Sequence, residues 1–216
     1  MKINVFTHPF EHVIIENYFE DNELKDIFCE LEAIFKFKEK TNSLHVWNKS
    51  ARKQGSFLSN RIAFNISYFA KDKNSITEKH FEKLFSLKIS EYLFKNTYFC
   101  NFLKCVNDTG VVVGVYQEGD YYKPHYDTGI ITALSHIWYE DYKFEGGELY
   151  FPDYNNYTLT PKNNNLIIFP SHITHGVKDI TSVSKHNDIL HNRISLTLLT
   201  HSLPGLEANN NSKVKR

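Results

Sequence analysis

From about residue 99 onward the chain changes texture. The segments "FCNFLKCVN", "TGVVVGVYQE", "YYKPHYD", "IITALSHIWYE", "GGELYFP", "NLIIFP" and "NRISLTLLTHS" are short, rich in β-branched and aromatic residues, and separated by Gly, Pro, Asn and Asp. Strand formers in runs this brief cannot build long helices; they predict seven or eight strands folded into a β-sandwich or open barrel. In the last segment Ile194, Leu196 and Leu198 alternate with Arg193, Ser195 and Thr197. The apolar set should face a hydrophobic layer and the polar set the opposite side of the sheet.

Two helical patterns precede the strands. "EDNELKDIFCELEAIFKF" places Leu24, Ile27, Phe28, Leu31, Ile34 and Phe35 at three- and four-residue steps, with Asp21 or Asn22 near the cap,. "ITEKHFEKLFSLKISEYLFKN" repeats the spacing through Phe81, Leu84, Phe85, Leu87, Ile89 and Leu93. The expected architecture is therefore mainly β with flanking helices (α+β), the helices packed on one sheet. A chain of 216 residues fits one domain,. Residues 1–98 are read as helical support with a candidate lid loop, 99–203 as the β core, and 206–216 as a frayed, polar tail.

Lysine plus arginine equal aspartate plus glutamate at 25 each, so net charge asks for no nucleic acid or membrane surface as partner. Cys29, Cys100 and Cys105 are odd in number and lack zinc-knuckle spacing, which suits free thiols in a reducing compartment,. The N-terminal "MKINVFTHPFEHVIIENYF" has neither a signal-peptide apolar core nor a membrane span, and a cytoplasmic location is the expectation,.

Between the helices, "KFKEKTNSLHVWNKSARKQGSFLSN" carries six basic residues against Glu39 alone. Such a stretch is ordinarily a solvated loop. The sharper reading is a flap over residues 41–60, with Trp47 and Phe57 as contacts on the substrate side.

The chemistry concentrates in "YYKPHYDTG". On a strand, His125 and Asp127 would project to one face and Tyr126 to the other, so an imidazole nitrogen and a carboxylate oxygen could reach one cation. A simple hydrogen-bonded His–Asp pair has the same pattern. Downstream, "NNNLIIFPSHITHGVKDI" brings two histidines after an apolar strand. Either would complete a two-His, one-carboxylate set, the donor arrangement of non-haem Fe(II). His175, which opens the next apolar segment, is the better candidate; His172 sits in the turn and should face solvent. Arg193 is either an ordinary strand-face residue or a guanidinium in an apolar cavity, where it requires an anion.

Together "VYQEGDYYKPHYD", "FEGGELYFP", "IIFPSHITHGV" and "NRISLTLL" resemble, in order, the Fe(II)- and 2-oxoglutarate-dependent dioxygenases, specifically their prolyl-4-hydroxylase-like branch. The resemblance covers roughly residues 110–200 and implies a double-stranded β-helix, or jelly roll, with the metal between its sheets. It implies that His125, Asp127 and His175 are the iron ligands. Arg193 would anchor the distal carboxylate of 2-oxoglutarate beside Ser195, Tyr116 would contact the cosubstrate, and Tyr122 would line the pocket. Core packing is the competing role for both tyrosines. Gly146 and Gly147 of "GGEL" are read as backbone requirements.

The cofactors implied are Fe(II), 2-oxoglutarate and O2, with ascorbate as an optional reductant. The reaction implied is hydroxylation of a C–H bond with release of succinate and CO2, on a prolyl or other residue of a peptide or protein. The alternative substrate is a free amino acid or other small molecule. A non-catalytic jelly-roll binding module would need no cosubstrate anchor, and a cupin-like hydrolase or isomerase more often supplies H-x-H than H-x-D. One departure stands out: 18 positions separate His175 from Arg193, more than the family commonly uses. All or part of "TSVSKHNDILHN" must loop out, and Lys178 and Lys185 become the competing anchors.

Overall fold

The computed structural model describes residues 1–41, 52–53, 56–69, 75–182 and 188–204. The N-terminal hairpin is β1 (Lys2–Phe6) and β2 (His12–Glu16), followed by α1 (Asp21–Thr41). Four short strands come next: β3 (Arg52–Lys53), β4 (Ser56–Phe57), β5 (Ser59–Asn60) and β6 (Ile62–Asn65). Then come α2 (Ile76–Phe81) and α3 (Leu87–Asn96), which lead into β7 (Asp108–Tyr116), β8 (Tyr121–His125) and β9 (Ile131–Ile137). The remaining strands are β10 (Phe144–Gly146), β11 (Leu149–Phe151), β12 (Tyr157–Leu159), β13 (Asn165–Pro170), β14 (His175–Val177), β15 (Ile180–Ser182) and β16 (Arg193–His201).

A seven-stranded sheet runs in the order β1-β2-β13-β9-β16-β7-β6, and a five-stranded sheet in the order β12-β11-β14-β8-β5. Every pairing in both is antiparallel. The result is the expected jelly roll. The alternation in β16 sorts as the sequence predicts. Ile194, Leu196 and Leu198 join Val111, Val113, Val115, Ala133, Leu166 and Ile168 in one core, which they share with Ile27, Leu31, Phe81 and Leu93 of the helices. That core buries one face of the large sheet under α1, α2 and α3. A second core, with Tyr116, Leu134, Ile167 and Phe169 from the large sheet and Leu149, Phe151 and Val177 from the small one, fills the space between sheets. The site sits at the polar end of this second layer.

Three local expectations are corrected. The second helical pattern breaks into α2, a 3-10 turn over Glu82–Phe85 and α3, because Ser86 adopts an extended backbone between them; Leu87 is consequently exposed rather than part of the stripe. The start of α2 is fixed by a carboxylate of α1: Glu30 accepts hydrogen bonds from Ile76 N, Thr77 N and the hydroxyls of Ser75 and Thr77, satisfying donors that a helix start leaves open. "FCNFLKC" is a 3-10 helix, not a strand. Its buried residues Phe99, Cys100 and Leu103 recur near a step of three, and Glu11 accepts the backbone N–H groups of Tyr98 and Phe99 at its start,. Finally, β2 pairs with β13 inside the large sheet, so strand-forming residues begin far ahead of residue 99.

Candidate active site

β8 and β14 are antiparallel neighbours in the small sheet, and their register sets His175 directly against His125. The ring centroids lie 4.4 Å apart. Each ring is oriented from behind: Nδ1–H of His125 donates to the carbonyl of Lys123, and Nδ1–H of His175 to that of Ile173, both at 2.9 Å. These bonds fix the tautomer and leave both Nε2 lone pairs directed toward Asp127.

Asp127 reaches the site by a different route from the one the strand period suggests. β8 ends at His125, and Asp127 lies in the following loop, where its backbone N–H donates to the carbonyl of Ser171 at 3.0 Å. Thr132 of β9 donates its hydroxyl to Asp127 Oδ2 at 2.7 Å, and the Thr132 and Ser171 hydroxyls are 2.9 Å apart. The carboxylate is thus pinned between the two sheets. Its Oδ1 is 3.7 Å from His125 Nε2 and its Oδ2 is 3.6 Å from His175 Nε2. One ligand atom from each of the three residues falls within 4.8 Å of the others.

Burial, with the neighbouring His175 adding to it, pushes the His125 pKa down to about 4, and burial lowers that of His175 as well. Both rings are therefore neutral at pH 7, as metal ligation requires. Two imidazole nitrogens and one carboxylate, converging on one face with open space opposite, fit Fe(II). His172 is exposed, as expected of a turn residue. His175→Ala should lower Mn(II) or Fe(II) affinity by more than the roughly 10- to 100-fold typical of losing a supporting partner, whereas His172→Ala should leave it unchanged. Anaerobic metal titration distinguishes the two, and the reverse pattern would move the ligand to His172.

The adjoining cavity of about 140 Å³ is lined by, among others, Tyr116, Tyr122, Leu134, His136 and Ser195. Tyr122 stacks on His125 with ring centroids 3.6 Å apart. Arg193, fully buried at the start of β16, lies behind Tyr116 and His136. Its Cζ is 4.7 Å from the Tyr116 ring centre, and its Nη2–H donates to His136 Nε2 at 2.7 Å. Burial drives the Arg193 pKa down to about 10 and, together with the Arg193 charge, holds that of His136 far below the usual imidazole range. His136 is then neutral, and its ring proton sits on Nδ1.

Arg61, Thr132 and His136 belong to the site although the sequence reading did not single them out. Thr132, Leu134 and His136 alternate along β9 and face the cavity, so strand period alone could have nominated two of them. Of the competing anchors, Lys178 is exposed and outside this cavity, and Lys185 lies outside the described residues. Trp47 and the side chain of Phe57 also lie outside them, along with most of the candidate flap.

The unpaired polar atoms give the cavity its character. Arg193 Nε and Nη1, Arg61 Nε and His136 Nδ1 are buried without a hydrogen-bond partner, and with His136 in this tautomer every one is a donor. Buried donors without acceptors are costly, and an anionic ligand suits those of the cavity-lining residues Arg61 and His136, with the Arg193 charge directly behind them. The geometry therefore suits a metal-chelating, anionic cosubstrate.

Residues 111–201 match the family model described as the 2OG-Fe(II) oxygenase superfamily. No curated protein matches the sequence. Among solved structures the chain is similar to a Pseudomonas putida prolyl-4-hydroxylase, at 14% identity and TM-score 0.56 over 89% of this chain and 92% of that one. It is also similar to a Trichoplax adhaerens prolyl hydroxylase in complex with a hypoxia inducible factor oxygen degradation domain peptide fragment, at 15% identity and TM-score 0.59 over 88% and 83%. A 2OG-Fe(II) oxygenase family oxidoreductase from Burkholderia pseudomallei gives 13% identity and TM-score 0.53 over 92% and 87%. Those likenesses establish the fold, and the family model spans β7 to β16, the strands that carry the His–Asp–His cluster: over that stretch the chain is similar to the 2OG-Fe(II) oxygenase superfamily, and the site it carries is that of an Fe(II)- and 2-oxoglutarate-dependent dioxygenase.

Proposed function

We propose that the C–H bond this dioxygenase hydroxylates belongs to a residue of a peptide or protein, proline first. In this reading His125, Asp127 and His175 hold Fe(II), Arg193 and Ser195 receive the distal carboxylate of 2-oxoglutarate, and Tyr116 and Tyr122 wall the pocket. Bound iron would supply the redox chemistry that couples decarboxylation of 2-oxoglutarate to succinate and CO2 with hydroxylation of a C–H bond. The chain's own tasks are narrower. Lys123 and Ile173 carbonyls keep the ligand tautomers, Thr132 orients the carboxylate, and the donors around Arg193 and His136 would hold the cosubstrate in place.

The observation that carries the substrate class is a second, more open cavity of about 700 Å³ that shares Tyr122 and Val177 with the metal pocket. Tyr121, Tyr150, Lys123, Lys178 and Glu148 also line it. A groove with aromatic walls and charges of both signs suits an extended chain better than a small, enclosed ligand. The Trichoplax relative's peptide complex is in keeping with that choice. No described helix is long and apolar enough to cross a membrane, and the three cysteines are free thiols; a cytoplasmic location is part of the same proposal.

The test is succinate production by iron-loaded protein offered proline-containing peptides, the same peptides with proline replaced, and free amino acids. Succinate in excess of the substrate-free rate is expected with the peptides, together with a gain of one oxygen mass in the peptide. Stimulation by free amino acids and not by peptides would overturn the substrate class.

A further inference from the structure

Arg61 is the single residue between β5, which pairs with β8 in the small sheet, and β6, which pairs with β7 in the large one. The chain crosses from sheet to sheet there, and the guanidinium enters the space between them. It lines the metal cavity together with His125, Asp127 and His175. Its Cζ lies 4.4 Å from the Tyr122 ring centre and 5.3 Å from that of Tyr116, and Nη1 points at Ser195 Oγ at 3.4 Å. Tyr116 is therefore shared by two guanidiniums, since Arg193 lies 4.7 Å from the same ring.

Room for this approach is made by Gly114, which pairs with Ser195 in the large sheet. A Cβ there would lie 2.3 Å from Arg61 Nη1 and 2.6 Å from Ser195 Oγ. Two like charges against one buried tyrosine ring repel, and the ring compensates only in part,. Among the described residues neither arginine forms an ion pair, and Arg61 Nε and Arg193 Nε and Nη1 are buried without partners.

We infer that Arg61 is a second cation for the distal carboxylate of 2-oxoglutarate, closing a clamp with Arg193 and Ser195 around Tyr116. This rests on the cosubstrate reading given above. Ser195 is the common point: it stands two residues from Arg193 on one strand and receives the Arg61 N–H. A carboxylate beside Ser195 would then meet a guanidinium on either side, with one oxygen for each. The substrate groove, by contrast, does not include Arg61 among its walls.

The experiment compares wild type, Arg61→Gln and Arg61→Lys, each loaded with redox-inert Mn(II), by water-proton relaxation, which reads weak as well as tight ligands. The two ligands are 2-oxoglutarate and 2-oxopentanoate, which keeps the metal-chelating end and lacks the distal carboxylate. Arg61→Gln should weaken 2-oxoglutarate roughly tenfold and leave 2-oxopentanoate within twofold of wild type, with Arg61→Lys in between. An equal loss for both ligands would make Arg61 a packing residue for Tyr122, and no loss for either would place it outside the cosubstrate site; both results overturn the clamp. Failure of the wild type itself to bind 2-oxoglutarate, with Mn(II) bound, would instead overturn the cosubstrate reading on which the clamp rests.

Discussion

Asp127→Ala should abolish coupled turnover and lower Fe(II) affinity by at least about 100-fold. The substitution removes the only carboxylate of the three-residue cluster and leaves two neutral histidines, a donor set with no charge to offset that of the cation. Losing a supporting hydrogen-bond partner costs a metal site roughly 10- to 100-fold, and a direct ligand should exceed that. Asp127→Asn separates charge from shape: an amide oxygen still accepts from Thr132, so the loop keeps its anchor while the negative charge is gone. Both variants should therefore lose metal, with Asp127→Asn retaining more of the native thermal stability. Anaerobic metal titration, succinate release and thermal unfolding read the three quantities separately. Full activity in iron-loaded Asp127→Ala would remove Asp127 from the ligand set.

Asp127 also shows how a sequence argument can reach the right residue through incomplete geometry. The i, i+2 rule brings it to His125's side of a strand, yet β8 ends at His125 and the convergence is made by Thr132 and Ser171, residues from β9 and from the turn after β13. The alternation in β16 was legible because a long strand buried on both faces keeps its period for nine residues,. β1 and β2 were not read as strands, since five residues of mixed polarity acquire that identity only by pairing, β2 with β13 across some 150 residues of sequence. Tertiary context overrides local preference in such cases. "FCNFLKC" failed for the opposite reason: its local composition favours strand, while the carboxylate of Glu11 caps a 3-10 turn there. Arg61 carried no local signal at all. Its role follows from the chain changing sheets at that residue, which a period of two or 3.6 cannot express.

The 18-residue separation between His175 and Arg193 has a structural counterpart in β15 and the segment after it, which intervene before β16 begins at Arg193. If Arg193 receives the distal carboxylate, Arg193→Gln should weaken 2-oxoglutarate by roughly 30- to 1000-fold. The change removes a charge-assisted contact from a fully desolvated position, worth on the order of 2 to 4 kcal/mol, and each 1.4 kcal/mol is about tenfold. Glutamine removes the charge while keeping a polar, uncharged amide on the strand, so the loss reads chiefly the missing guanidinium. Metal affinity should stay within a few-fold of wild type, since the guanidinium contacts Tyr116 and His136 and none of the three ligands. Lys178→Gln, on an exposed side chain, should leave both affinities intact, and Lys185→Gln should do the same. Titration of the Mn(II)-loaded variants with 2-oxoglutarate measures each value. Normal binding by Arg193→Gln, with loss in either lysine variant, would transfer the anchor to the segment between β14 and β16 and leave the buried arginine a role in packing alone.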